Sequence, residues 1–301
     1  MQRGKALEVF IKQLLINVGF SKVPSDGLYI FDGTPGQMIQ GLGSAHNADV
    51  LLEPPVQTPF YYPTRLLIEC KDYSNESAGI EIVRNVFGIR EDINHFEVID
   101  KAVLNHRRNT YQDALPPTEY RYSYQVALAA TSGYTKFAQL FAAAHRIPLL
   151  DLNSIPYWDN LLREIHNANA SKQDIIALAD DIGKKMAVAV LDSGQLLFLY
   201  QVIGASVFFD DDYSLYWSSP HEPWQLISGS CTYTFHLPEI IMQTWLSNSS
   251  REQQEAINLK EQTLSNMVVY YRNASNLPTI KMISINRAAL NDAKRQMGLS
   301  D

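Results

Sequence analysis

Leu66-Leu67-Ile68-Glu69-Cys70-Lys71 is an apolar run that ends in two charged residues separated by a cysteine. A short apolar run bounded by turn residues reads as a buried strand, and residues two apart on a strand share a face. Glu69 and Lys71 are therefore expected on one side, with Cys70 on the other, in the core. Earlier in the chain, Ala48-Asp49-Val50-Leu51-Leu52 reads as another strand, joined to the first by a loop carrying Pro54, Pro55, Pro59 and Pro63. If the two strands pair, Asp49, Glu69 and Lys71 converge at one sheet edge. Two carboxylates there suit Mg²⁺, a hard cation that prefers oxygen ligands and keeps several waters. Such a metal acidifies bound water and stabilises charge on a phosphate, while a lysine orients the attacking water or helps to deprotonate it. This is the equipment for phosphodiester hydrolysis. The bare triplet is not specific, because acid-any-Lys recurs at Asp292-Ala293-Lys294, on an expected terminal helix where the two charges point in different directions. An ordinary strand-end salt bridge is the alternative reading of Glu69 and Lys71.

Working outward, Leu7, Phe10, Ile11, Leu14, Leu15 and Val18 recur at helical spacing, with Gly19 as the stop. A strand-like Leu28 to Phe31 and a Gly-rich turn follow. Beyond Lys71, a helix turns Ile82, Val83, Val86, Phe87, Ile89 and Ile93 inward, and the polar segment Glu97 to Glu119 reads as an insertion. A strand (Gln125 to Ala130), a helix (Tyr134 to Ala144) and a short strand (Pro148 to Leu152) close an α/β unit with a mixed sheet flanked by helices. The turn-rich stretch at Asn153-Ser154-Ile155-Pro156 is the best boundary, giving domains 1–155 and 156–301. The second begins with helices at Trp158 to Ile165 and Lys172 to Lys185, the latter opened by Ser171 with Asp174 three residues on. A hairpin follows around Asp192-Ser193-Gly194, then strands through Trp217 and Phe235, a long helix around Arg251 to Tyr271, a strand at Thr279 to Ile285 and a helix from Arg287. This is an α+β domain.

Composition narrows the function. With 301 residues, 46% hydrophobic and 19% charged, the chain has the make-up of a folded protein rather than a disordered one. A net charge of −7 argues against a generic DNA-coating protein, whose affinity comes from Lys and Arg neutralising phosphates. The acidity is uneven: residues 1–155 hold 14 basic and 16 acidic side chains, and residues 156–301 hold 11 and 16. Cys70 and Cys231 make no disulfide framework and no zinc spacing, so a reducing cytoplasm is the expected compartment. Lys5, Glu8 and Lys12 interrupt the first helix, and no run of 18 apolar residues follows, so membrane insertion is not expected.

Taken in order, Gly41-Leu42-Gly43, His46-Asn47-Ala48-Asp49-Val50, Leu67-Ile68-Glu69-Cys70-Lys71-Asp72-Tyr73, Gly79-Ile80-Glu81-Ile82-Val83-Arg84-Asn85, Ala130-Thr131-Ser132-Gly133-Tyr134-Thr135 and Ile147-Pro148-Leu149-Leu150-Asp151 resemble the PD-(D/E)XK restriction-endonuclease-like fold, closest to its Mrr-like nucleases. The resemblance covers roughly the first half of the chain. It implies Asp49 and Glu69 as ligands of Mg²⁺ or Mn²⁺ and Lys71 as the catalytic lysine. Glu8 matches an acidic position that supports the metal shell in such folds, a solvated helix residue being the alternative. His46 resembles a residue that precedes the metal-binding Asp and orients the site or touches phosphate; a packed turn histidine is the alternative. Arg84 and Asn85 fall where the helix after the catalytic strand faces the site, although a surface role suits either. Departures are the long proline-rich loop, the charge of Asp72 beside Lys71, the insertion, and the lack of a recognisable winged-helix DNA-binding domain.

Other patterns carry less. Gly41-Leu42-Gly43 lacks the rest of a phosphate loop and reads as a turn leading to Asp49. Asp210-Asp211-Asp212 could bind a cation but reads better as a solvated loop, and the aromatics from Phe198 to Phe235 could stack bases or grip a partner but read better as strand packing. Arg107 and Arg108, in the insertion, are the best local phosphate contacts in the sequence. The expectation is thus a metal-dependent endonuclease acting on DNA, in a restriction or phage-defence setting that the resemblance implies. One such site cuts one strand, so duplex cleavage calls for a homodimer or a partner protein. The rival reading is a non-catalytic nuclease-fold subunit serving as an interaction module in a larger defence or repair complex. The acidic second half favours the rival; the intact Asp49, Glu69 and Lys71 count against it.

Overall fold

The computed structural model describes residues 2–95, 122–237 and 266–284, apart from 28, 35, 58–61, 74–75, 153–154, 156, 192–193, 212 and 217–222. Helix α1 (Arg3–Asn17) buries Ala6, Leu7, Phe10, Ile11, Leu14 and Leu15, the stripe its periodicity defines. Gly19, at φ +112°, turns the chain out of the helix in a conformation that L side chains rarely adopt. Strand β1 (Ser21–Lys22) comes next, followed by a small antiparallel sheet of β2 (Ile30–Gly33), β3 (Gly36–Gln40) and β4 (Ala45–Asn47). The sequence suggested only the first strand of that sheet. Strand β5 (Val50–Glu53) leads to β6 (Thr64–Lys71), with α2 (Ile80–Asn94) after it and then β7 (Ser123–Ala130), α3 (Lys136–Ala144) and β8 (Leu149–Asp151). These strands form a five-stranded mixed sheet in the order β1-β5-β6-β7-β8, antiparallel from β1 to β6 and parallel from β6 to β8.

Side chains alternate across this sheet. Leu66, Ile68 and Cys70 of β6 join α1 in one core, while Leu67 faces a second core with Val83 and Val86 of α2 and Ala138 of α3. The mixed α/β class is as the element order implied. An antiparallel seven-stranded sheet follows, in the order β11-β12-β13-β10-β9-β14-β15, built from β9 (Met186–Val190), β10 (Leu196–Ile203), β11 (Tyr213–Tyr216), β12 (Trp224–Ser228), β13 (Cys231–Phe235), β14 (Met267–Arg272) and β15 (Pro278–Ile283). Trp224, Tyr233 and Phe235 are fully buried in its core, with Phe209 stacked on Tyr233 at 4.4 Å, so these aromatics pack strands rather than stack bases.

One expectation changes. The helix expected to reach Tyr271 is, over Met267–Arg272, strand β14. Its buried positions alternate, with Met267, Val269 and Tyr271 inward, because a run of β-branched and aromatic residues fits a pleated surface better than a helix. The remainder of that helix, from 251 to 265, and the one from Arg287 lie outside the described residues. Packing continues across residue 155. Helices α4 (Trp158–Ile165) and α5 (Lys172–Gly183) lie against α1, and one continuous core runs from Ala6 through Trp158, Ile165 and Ile175 to Met186, Val188 and Phe198. Trp158 donates its indole N–H to the Thr131 carbonyl at 3.2 Å and stands 6.1 Å from the Phe10 ring.

Candidate active site at the end of the central strands

The antiparallel pair Val50↔Ile68 puts Asp49, one residue before β5, beside Glu69 near the end of β6. Asp49 is fixed from two sides: its Oδ2 accepts the Cys70 backbone N–H at 2.9 Å and its Oδ1 the Asn47 side-chain amide at 2.7 Å. Glu69 is only 8% exposed and accepts from Lys71 Nζ at 3.1 Å. Strand alternation delivers this pairing, since Cys70 between them points into the α1 core. Burial there pushes the Cys70 thiol well above its ordinary value.

Electrostatics follow from that geometry. Burial, then the adjacent Asp49 charge, pushes the Glu69 carboxyl above its ordinary value, against the opposing pull of Lys71 and His46. Burial also raises Glu8, on α1, with Asp49 adding to the effect, although Lys5 donates to it at 2.5 Å. Glu8 thus belongs to the same negative cluster as Asp49. For Lys71, burial disfavours the charge, but Glu69, through its charge and its hydrogen bond, and then Asp49 more than offset this, and its ammonium sits above the ordinary value. With both carboxylates ionised, Lys71 is a cation rather than a base. Neutralising those carboxylates removes the cause of its elevation.

His46, on β4, lies near Glu69 and hydrogen-bonds through Nε2 to Asp92 of α2 at 2.7 Å. The Gly43 backbone N–H also donates to Asp92, at 2.7 Å, and these bonds, His46 foremost, hold the Asp92 carboxyl below its ordinary value. A Cβ at Gly41 would collide with the Asp92 carboxylate and the Ser44 carbonyl, so the glycines of this turn let the backbone wrap a carboxylate. The turn leads toward Asp49, as its sequence suggests, and also anchors the Asp92 that holds His46. Asp92 and Asn47 escaped the sequence reading. Asp92 looks like a polar residue beside Ile93 on an amphipathic helix, and only the fold sets it against residues nearly fifty positions away.

Asp72 does not turn its charge on Lys71. It meets His166, at the end of α4, at 3.0 Å, with Thr131 alongside. Arg84 lies over the Phe141 ring at 5.7 Å, on the α3 side of α2, and Asn85 is exposed beside it. Neither joins the Asp49, Glu69 and Lys71 cluster through any described bond. Arg107, Arg108 and Asp212 lie outside the described residues; Asp211 pairs with Lys281.

Among the described residues no group of three or more His, Cys, Asp or Glu side chains is arranged to hold a metal ion. The set on offer is Asp49 and Glu69, two carboxylates without sulfur or imidazole. It suits a hard cation that keeps most of its waters and not a tetrahedral zinc. Each Asp49 oxygen accepts one hydrogen bond and retains acceptor capacity.

No family model and no curated protein matches the chain. Among solved structures it is similar to one described as "Protein of Unknown Function AF1548", at 15% identity and a TM-score of 0.31, over 60% of this chain and 97% of that one. A likeness at that level carries no argument about activity. No helix among the described residues is long and apolar enough to cross a membrane.

Proposed function

We propose that this protein hydrolyses phosphodiester bonds in DNA as a metal-dependent endonuclease. One observation carries the reading: Asp49 and Glu69 are neighbours across paired strands, with the Lys71 ammonium on Glu69 at 3.1 Å. Two facing carboxylates, one buried, repel each other when both carry charge, a cost in free energy that a bound cation relieves. Asp49 and Glu69 would hold Mg²⁺ or Mn²⁺, which would supply an acidified water and offset charge on the phosphate. Lys71 presents its ammonium to the phosphate and to the water's oxygen, stabilising charge that builds in the transition state. Because Glu69 and Asp49 are what raise the Lys71 ammonium, neutralising them would make its proton easier to move. Glu8 adds negative charge behind Asp49, and Asp92 holds His46 beside Glu69.

The test is supercoiled plasmid incubated with Mg²⁺ or Mn²⁺, with Glu69→Ala and Lys71→Ala run beside the wild type. Nicking by the wild type and a loss of about 10²-fold or more in each variant is the expected result. Equal activity in all three sinks the assignment. In parallel, calorimetric titration with Mn²⁺ is expected to give binding that disappears in Asp49→Ala.

A further inference from the structure

Beside the candidate active site, and sharing Glu8 and Asp49 with it, lies a groove of about 250 Å³ lined by Lys5, Lys12, Lys22 and Lys172. In a chain of net charge −7 this concentration of cations is unusual. It is assembled by the fold from three elements: Lys5 and Lys12 from α1, Lys22 from β1 and Lys172 from the first turn of α5. Lys5 is paired with Glu8 at 2.5 Å. Among the described residues Lys12, Lys22 and Lys172 have no carboxylate at ion-pair distance: of the two acids lining the groove, Glu8 is taken by Lys5 and Asp49 by the Asn47 amide and the Cys70 N–H. Asp174 accepts the Ser171 backbone N–H at 2.8 Å, and Asp180 accepts from Gln13 at 2.7 Å.

Four ammonium groups against the two carboxylates of Glu8 and Asp49 leave the groove with an excess of positive charge, and like charges gathered in this way destabilise the folded chain. Lys12 registers that cost: burial first, then the charges of Lys22, Lys172 and Lys5, hold its ammonium below the ordinary value against the opposing pull of Glu8. An anion in the groove reverses the sign of the interaction for all three. Beside a site that hydrolyses phosphodiesters, the anion that fits is the phosphate backbone itself.

We propose that Lys12, Lys22 and Lys172 form the binding track for the sugar-phosphate backbone of a nucleic-acid strand, leading it to Asp49 and Glu69. The inference rests on the nuclease reading for its choice of anion. It assigns DNA contact to α1, β1 and α5 rather than to α2. Because Lys172 comes from beyond residue 155, both halves of the chain contribute to the track.

The experiment measures fluorescence anisotropy of a labelled DNA duplex over a range of NaCl, in EDTA, so that binding is read without hydrolysis. Wild type is compared with Lys22→Gln/Lys172→Gln, whose residues are exposed, and with the triple variant that adds Lys12→Gln; thermal melts establish that each folds. Each lysine on the track contributes about 1 to the slope of log affinity against log salt. The slope is expected to fall by roughly 2 in the double variant and 3 in the triple, with affinity weakened about tenfold or more. An unchanged slope, or no salt-sensitive binding by the wild type, overturns the track. So does ATP displacing the duplex at equal phosphate concentration, which gives the groove to a free nucleotide. Lysine-dependent binding without cleavage in Mg²⁺ or Mn²⁺ leaves the track standing and removes the nuclease reading. Cleavage that the lysine variants retain in full does the reverse.

Discussion

At the residue scale, the site is a set of charges whose neighbours fix their ionisation. Asp92 is the clearest case, because His46 and the Gly43 amide hold its carboxyl below the ordinary 3.8. A carboxyl with a depressed folded value binds fewer protons folded than unfolded, so it adds stability above pH 3.8 that is lost as pH falls through the folded value. Asp92→Asn is therefore expected to melt lower than wild type at neutral pH, the gap closing in acid below that value; thermal melts across pH check this. Because Asp92 holds His46 beside Glu69, the same variant is also expected to lower the rate on plasmid. Glu69 and Lys71 were legible as a pair from strand alternation alone, but their charge states were not. Those depend on burial and on Asp49, twenty residues away in sequence and adjacent in space.

At the element scale, local signals served well where a cap or an apolar stripe defined the segment. Ser171 and Asp174 form the reciprocal capping box that their spacing implied. Thr135 caps α3 by accepting the Ala138 N–H at 3.3 Å. Replacing it by alanine orphans that donor, and Thr135→Ala is expected to cost about 1 kcal/mol in a denaturant melt, with site activity little changed. Local reading failed at Met267–Arg272, where a polar stretch before it suggested one long helix. The decisive influence there is β9: Val268, Val269 and Tyr270 pair with Val190, Ala189 and Val188, and such a ladder exists only in the folded chain. The small β2-β3-β4 sheet escaped for a similar reason, since its strands are three to five residues long and gain their order from pairing.

At the scale of the whole molecule, the interior does not divide where the turn residues around Asn153 to Pro156 suggest. Trp158 sits in the core of α1 with its N–H on the Thr131 carbonyl. Trp158→Ala removes a buried ring and leaves that carbonyl without its donor, and is expected to cost about 3 to 5 kcal/mol. By the same logic a fragment ending at residue 155 exposes the α1 surface that α4 and α5 cover; circular dichroism is expected to show it without a cooperative melt. The sequence by itself determined the mixed α/β class, the facing of Glu69 and Lys71 away from Cys70, and most helices of the first half, because alternation and helical spacing are properties of neighbours along the chain. Only the tertiary structure decided the register that sets Asp49 beside Glu69, the Asp92 support for His46, the lysines that gather from three elements, and the shared core across residue 155. Each of these joins residues far apart in sequence, and a contact of that kind exists only once burial of the apolar faces has brought the elements together.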